Sequence, residues 1–143
     1  MPGRDESRSD PLSPDEYVEE ANTICNASQA EADQIAAPSL ADPVAVERAI
    51  DQSVAIQRRA LRRLRDLEPP ERDGPGIENW LDLTAAAIDE MEKVGEGVAD
   101  GDREAITIAI EEGGTLVSDA EEFAAAYGLT ACSTADPDEA DQP

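Results

Sequence analysis

Proline and glycine cut this chain into four lengths, and within each length the apolar residues recur every three or four positions. That spacing gathers them on one side of a helix, whereas a half-buried strand alternates at every second residue. No stretch sustains such alternation with β-branched residues, so the sequence predicts an all-α fold. The composition agrees. Hydrophobic residues make up 40% of the chain and aromatics only 3%, and an Ala-rich, aromatic-poor mixture suits closely packed helices better than a β-sandwich.

The first helix is expected over about 14–37. Ser13 can cap it, Pro14 suits the first helical position, and Glu16 completes a capping box. Its stripe is Tyr17, Ala21, Ile24, Ser28 and Ile35, flanked by Val18, Cys25 and Ala32, with a stop ahead of Pro38. The second, about 43–68, has Asp42 as cap and Pro43 after it. Val46, Ile50, Val54, Leu61, Leu64 and Leu67 form its inner face, and Pro69-Pro70 end it because neither can donate a helical hydrogen bond.

The third, about 75–99, carries Ile77, Trp80, Leu81, Thr84, Ile88, Met91, Val94 and Val98, and Asp100-Gly101-Asp102 makes the turn after it. The fourth, about 103–127, is capped by Asp102. It is expected to bury Ile106, Ala109, Ile110, Gly113, Val117, Ala120, Ala124 and Tyr127, with a soft point at Gly113-Gly114. Gly128 is a left-handed C-terminal cap over which Leu129 can fold back.

Four helices near 24 residues, each about 36 Å long at the helical rise, stack antiparallel when their links are short. The expected architecture is therefore an up-down-up-down four-helix bundle over 13–132. Residues 1–12 and the acidic 133–143 are polar, rich in Pro, Ser and Asp, and expected to be disordered.

In such a bundle the end of the fourth helix lies beside the start of the first. Cys132, four residues past Gly128, can then reach back to Cys25. The expected disulfide closes a loop on the order of 100 residues and contributes about 4–5 kcal/mol in the chain-entropy model. The alternative is two free thiols, one buried and inert. A disulfide implies an oxidising compartment. The N-terminal residues carry no signal-peptide apolar region, so export requires a signal not contained in these residues. No run approaches the roughly 20 apolar residues of a membrane span.

The contexts of the two cysteines carry a resemblance. Tyr17-Val18-Glu19-Glu20-Ala21-Asn22-Thr23-Ile24-Cys25 opens it, and Leu61-Arg62-Arg63-Leu64-Arg65-Asp66-Leu67-Glu68-Pro69-Pro70 continues it. A helix with Trp80 comes next, and Ala126-Tyr127-Gly128-Leu129-Thr130-Ala131-Cys132 closes it. Over residues 14–132 the chain resembles a group of small exported helical proteins of actinobacteria, often lipoproteins, whose function is not established. The resemblance implies the bundle and the disulfide. It brings no catalytic residues, and this chain departs from the group in having no lipobox cysteine.

The chain contains no histidine. That removes histidine-dependent triads, the usual zinc sites, histidine-ligated haem and the Glu-x-x-His di-iron site of ferritin-like bundles. No phosphate or dinucleotide fingerprint and no Cys-x-x-Cys motif is present. Asp100, Asp102, Glu104 and Glu111 fall in an EF-hand register, but Ala105 stands where glycine is required, and helix capping by Asp102 explains the same residues. Neither metal nor cofactor is expected, and no enzyme activity.

Acidic residues number 34 against 11 basic ones, a net charge of -23. Such a field repels nucleic acid and favours a basic partner. The arginine-rich run from Arg58 to Arg65 lies within a segment, 38–72, that holds seven basic and six acidic residues. Its expected role is pairing with the acidic first and third helices. Tyr17, Trp80, Phe123 and Tyr127 are candidates for lining a ligand pocket, or else they are core.

Three functions survive. The first is a non-enzymatic extracytoplasmic structural or interaction module, secreted or lipid-anchored. The second is a helical bundle holding a small ligand, and the third is an acidic cytoplasmic protein that binds a partner. The partner's identity and the oligomeric state are not legible in these residues.

Overall fold

A computed structural model describes residues 11–133. Residues 1–10 and 134–143, expected to be disordered, lie outside the described residues. Four helices succeed one another: α1 (Pro14–Ala32), α2 (Pro43–Arg65), α3 (Gly74–Asp100) and α4 (Arg103–Tyr127). Single 3-10 turns at Glu71–Asp73 and Thr130–Cys132 flank the α3–α4 pair, one ahead of α3 and one after α4. Among the described residues there is no strand, and the protein is an all-α four-helix bundle.

The helix starts obey local chemistry. The Ser13 hydroxyl accepts from the Glu16 amide at 3.1 Å, and the Ser13 amide donates to Glu16 Oε1 at 2.9 Å. Asp42 accepts from Ala45 N–H at 3.2 Å and Asp102 from Ala105 N–H at 3.1 Å. Each of these satisfies an amide that a helix start otherwise leaves without a partner. The chain is engaged one step earlier than expected. Leu12, assigned from sequence to the disordered segment, donates its amide to the Glu68 carbonyl at 3.1 Å and packs against the core.

Two helix ends fall short of expectation. α1 stops at Ala32 rather than Ala37, because the Gln34 and Ile35 amides turn back three residues to Glu31 and Ala32. α2 stops at Arg65 rather than at 68, where the Leu67 amide likewise returns three residues, to Leu64. Tightened last turns of this kind satisfy terminal carbonyls but cannot propagate a regular helix.

Neighbouring helices run antiparallel. Arg58 pairs with Asp89 and Arg65 with Asp82, so α2 rises as α3 descends. Arg59 reaches Glu31 on α1. The arginines of α2 therefore bridge to acidic faces on both sides, each exposed pair contributing roughly 0–1 kcal/mol. Phe123 lies over Trp80, and a Cβ built on Gly97 would sit against Ile106, which fixes α4 antiparallel to α3.

The core changes character along its length. Tyr17, Trp80, Ile77, Ile88, Leu61, Leu64 and Leu129 fill the end where all four helices are present. At 1.5 Å per residue α1 spans only about 28 Å against about 40 Å for α3, so α2, α3 and α4 continue past its end. Tyr17 packs on Tyr127. Counting the same distance along both helices puts the last residue of α1 level with position 112 of α4. Ile110 lies beyond that level and is 57% exposed, which corrects its expected place in the core. The opposite correction holds for Ile56, a buried residue that the apolar stripe of α2 omitted. It lines a groove between α2 and residues 34–38, the segment α1 gave up when it ended early.

Where α1 is absent, glycines bring the remaining helices together. A Cβ on Gly97 would stand 2.7 Å from Ile106 Cγ1 and 3.4 Å from the Asp102 carbonyl oxygen, so only glycine permits this approach. Gly114 meets nothing within 4 Å. The two glycines should respond oppositely to alanine. Gly97→Ala is expected to destabilise by about 1–3 kcal/mol through overpacking, and Gly114→Ala to stabilise by about 0.5–1 kcal/mol through helix propensity. Denaturant midpoints measured side by side would check both signs.

Candidate functional site

The junction between α1 and the residues after α4 holds the most specific chemistry in the fold. Gly128 takes a left-handed φ of 96°, and the Gly128 and Leu129 amides both return to the Ala124 carbonyl, at 3.0 and 2.8 Å. This reversal buries Leu129 completely and aims the next turn at α1. Cys25 and Cys132 are joined in a disulfide with their Cα atoms 5.1 Å apart, closing a sequence separation of 107.

Two amides of α1 reinforce the covalent bond. Asn22 accepts from the Ala131 N–H at 3.0 Å and donates to the Gly128 carbonyl at 3.3 Å. Gln29 donates to the Ala131 carbonyl at 3.0 Å. Both side chains thus replace helical partners that the backbone after α4 no longer has. The sequence reading identified the two cysteines but missed Asn22 and Gln29. The available signal was their spacing: Asn22, Cys25 and Gln29 succeed one another at three and four residues, on one helical face.

The four aromatic candidates come together. Trp80 and Phe123 stack at a centroid distance of 6.0 Å, Phe123 and Tyr127 at 5.4 Å, and Tyr17 meets Tyr127 edge-on at 6.3 Å. The column joins α1, α3 and α4 at the end that the disulfide closes. The Tyr127 hydroxyl donates to Asp73 Oδ2 at 2.6 Å. Asp73 is the residue ahead of α3, and its side chain makes no capping hydrogen bond there, so its carboxylate serves the neighbouring helix instead. The Tyr127 hydroxyl is held above its ordinary range by burial first and by Asp73 second. Tyr17 is fully buried, its hydroxyl meets no partner among the described residues, and burial pushes it up to about 12.

Of the four aromatics, Trp80 alone borders the cleft between α1, α2 and α3. This cleft has a volume of about 240 Å3, an apolar wall from Leu61, Leu64 and Ile88, and the Cys25–Cys132 disulfide along its side. Gln29 and Gln57 supply amides at its edge. A small apolar molecule with one or two hydrogen-bonding groups fits that lining. Nothing in it forms a nucleophile–base pair. Among the described residues no cluster of three His, Cys, Asp or Glu is placed to hold a metal ion. In the EF-hand register Asp102 caps α4, and Glu111 uses its carbonyl to accept from Thr115. Among the described residues no helix is long and apolar enough to cross a membrane.

Fold and junction together define a disulfide-clamped, all-α four-helix bundle protein. No family model, curated protein or solved structure matches the chain.

Removing the clamp should be costly. The double change Cys25→Ser with Cys132→Ser is expected to lose about 4–5 kcal/mol and lower Tm by about 10–20 °C, measured by thermal denaturation. Tyr17 sets a limit at high pH. A phenol that ionises near 10.0 when exposed and only near 12 when folded stabilises the fold fully below pH 10, and that contribution is lost as pH rises from 10 to 12. Tyr17→Phe should remove this part of the decline and, with no hydrogen bond to lose, leave neutral-pH stability unchanged or higher. Tyr127→Phe should cost about 1–2 kcal/mol by breaking the bond to Asp73. Denaturant titrations between pH 7 and pH 12 would separate the two tyrosines.

Proposed function

We propose that this chain is an exported, non-enzymatic module, secreted or lipid-anchored, that acts through its surfaces and meets a basic protein partner. The observation that carries this reading is the intramolecular Cys25–Cys132 disulfide. Reducing cytosol keeps such pairs as thiols, whereas exported domains keep them closed. The resemblance over residues 14–132 to small exported actinobacterial proteins supports the same compartment. The lack of any histidine, and of a nucleophile–base pair in the cleft, supports binding over catalysis. A net charge of -23 favours positively charged partners and disfavours nucleic acid.

One observation favours a second reading. The cleft beside the disulfide has an apolar wall, polar edges and the sole tryptophan of the chain, so a small apolar ligand there would make the module a carrier. Trp80 fluorescence during titration with a panel of apolar metabolites reports this directly. A flat response across the panel, together with unchanged melting, removes it.

The export reading is tested in the producing cell. Thiols are blocked by alkylation at the moment of lysis, and the mass of the protein is then read. The expected result is an unalkylated protein with the disulfide intact. Two alkylated cysteines in freshly quenched cells would sink the assignment to an oxidising compartment.

A further inference from the structure

The cleft between α1, α2 and α3 is uncharged, which sets it apart in so ionic a chain. No Asp, Glu, Lys or Arg lines it, although such residues make up 31% of the sequence. The outer grooves differ: Glu31, Arg48 and Arg59 line the one along α2, and Glu19, Glu20 and Arg63 the one lower down between α1 and α2. A carboxylate or ammonium entering the cleft would leave water without meeting an opposite charge, which is strongly unfavourable. The lining selects a neutral guest.

The ion pairs that level the helices give the cleft two ends. Arg58 with Asp89, Arg65 with Asp82 and Arg59 with Glu31 set Gln57 level with Ala32 and Ile88 at one end. The same pairs set Leu64 level with Trp80 and Cys25 at the other. Leu64 stands seven residues beyond Gln57, about 10 Å along α2. That far end is hydrophobic, with Leu64 4% and Trp80 2% exposed and the disulfide at its side.

The near end holds an amide that the fold engages only weakly. Gln57 Nε2 donates to Met91 Sδ at 3.7 Å, and a thioether sulfur is a poor acceptor. The Gln57 Oε1 accepts no hydrogen bond among the described residues. A half-buried amide oxygen in that condition gains from any donor a ligand brings. The other polar groups of the lining are differently placed. Gln29 is exposed and donates its Nε2 hydrogen to the Ala131 carbonyl, and Thr84 donates its hydroxyl hydrogen to the Trp80 carbonyl within α3.

A carboxamide carries its oxygen and an N–H side by side on one edge. The group that satisfies both together is a second amide, whereas an ester or ether can only accept. An apolar far end about 10 Å away suits a short hydrocarbon chain attached to that amide.

We infer that the cleft binds an uncharged primary amide on a short hydrocarbon chain, the amide paired with Gln57 and the chain laid toward Leu64 and Trp80. This names the ligand class of the carrier reading and rests on it.

The test titrates the disulfide-intact protein at neutral pH with octanamide, N,N-dimethyloctanamide and octanoate, followed by Trp80 fluorescence and by calorimetry. Octanamide is expected to saturate and to shift the Trp80 emission. The dimethyl amide has no N–H to donate and octanoate carries a charge. Each should bind roughly tenfold more weakly or worse, because a site built for a hydrogen bond rejects the analogue that lacks it. Gln57→Leu should bring octanamide down to the level of the dimethyl amide while leaving the dimethyl amide no weaker, a pattern that general loosening would not give. Gln52→Leu, in the outer groove of α2, should change neither. The three probes are compared on the unaltered protein as well, so the test stands even if Gln57→Leu fails to fold. Equal binding of the two amides, tighter binding of octanoate, or an octanamide preference that outlives Gln57→Leu overturns the inference and leaves the carrier reading in place. No binding of octanamide also overturns it, and takes the carrier reading with it only when the wider apolar panel is silent too.

Discussion

The position of α1 depends on the short turn beyond α4. Its links to α2 are an apolar seam and the exposed Arg59–Glu31 pair, and it is the shortest of the four helices. On its other side it meets the turn after Gly128 through a covalent bond and the amides of Asn22 and Gln29. Burial of Tyr17, Ala21, Ile24 and Leu129 is the result, because these residues share the volume that the turn closes. A 3-10 turn of three residues thus fastens the first helix to the end of the fourth.

Length mismatch organises the rest. Where α1 is present, the space between helices is wide enough for a column of four aromatic rings. Where it has ended, the remaining helices close together on Gly95 and Gly97. The two ends of one bundle therefore use opposite packing materials, large rings at one and bare backbone at the other. Glu90 and Gly113 sit near the transition, where a charged side chain could be admitted between α3 and α4 without disturbing the aromatic end.

The features legible in the sequence were local ones. Ser13 with Glu16, Asp42, Asp102 and Gly128 each act within four residues of themselves, so helix starts and the final reversal could be read. The cysteine pairing was legible too, because antiparallel order together with the reversal at Gly128 brings 132 back beside 25. The end of α1 was not, since its tightening after Ala32 depends on how residues 34–38 settle along α2. Ile110 and Ile56 exchanged their expected environments for the same reason: a stripe tells which face is apolar, not which neighbour is long enough to cover it. The burial of Glu90 was not legible because Gly113, which makes room for it, lies on another helix.

The closure between Cys25 and Cys132 has a topological result of its own. Nearly the whole bundle lies inside one covalent hoop, so a single backbone nick anywhere between those residues leaves both fragments attached. The link between α1 and α2 is the natural place for such a nick, and it contains Leu40, 88% exposed. A protein built this way can be cut once by a protease and remain one molecule, held by the same bond that seats its first helix.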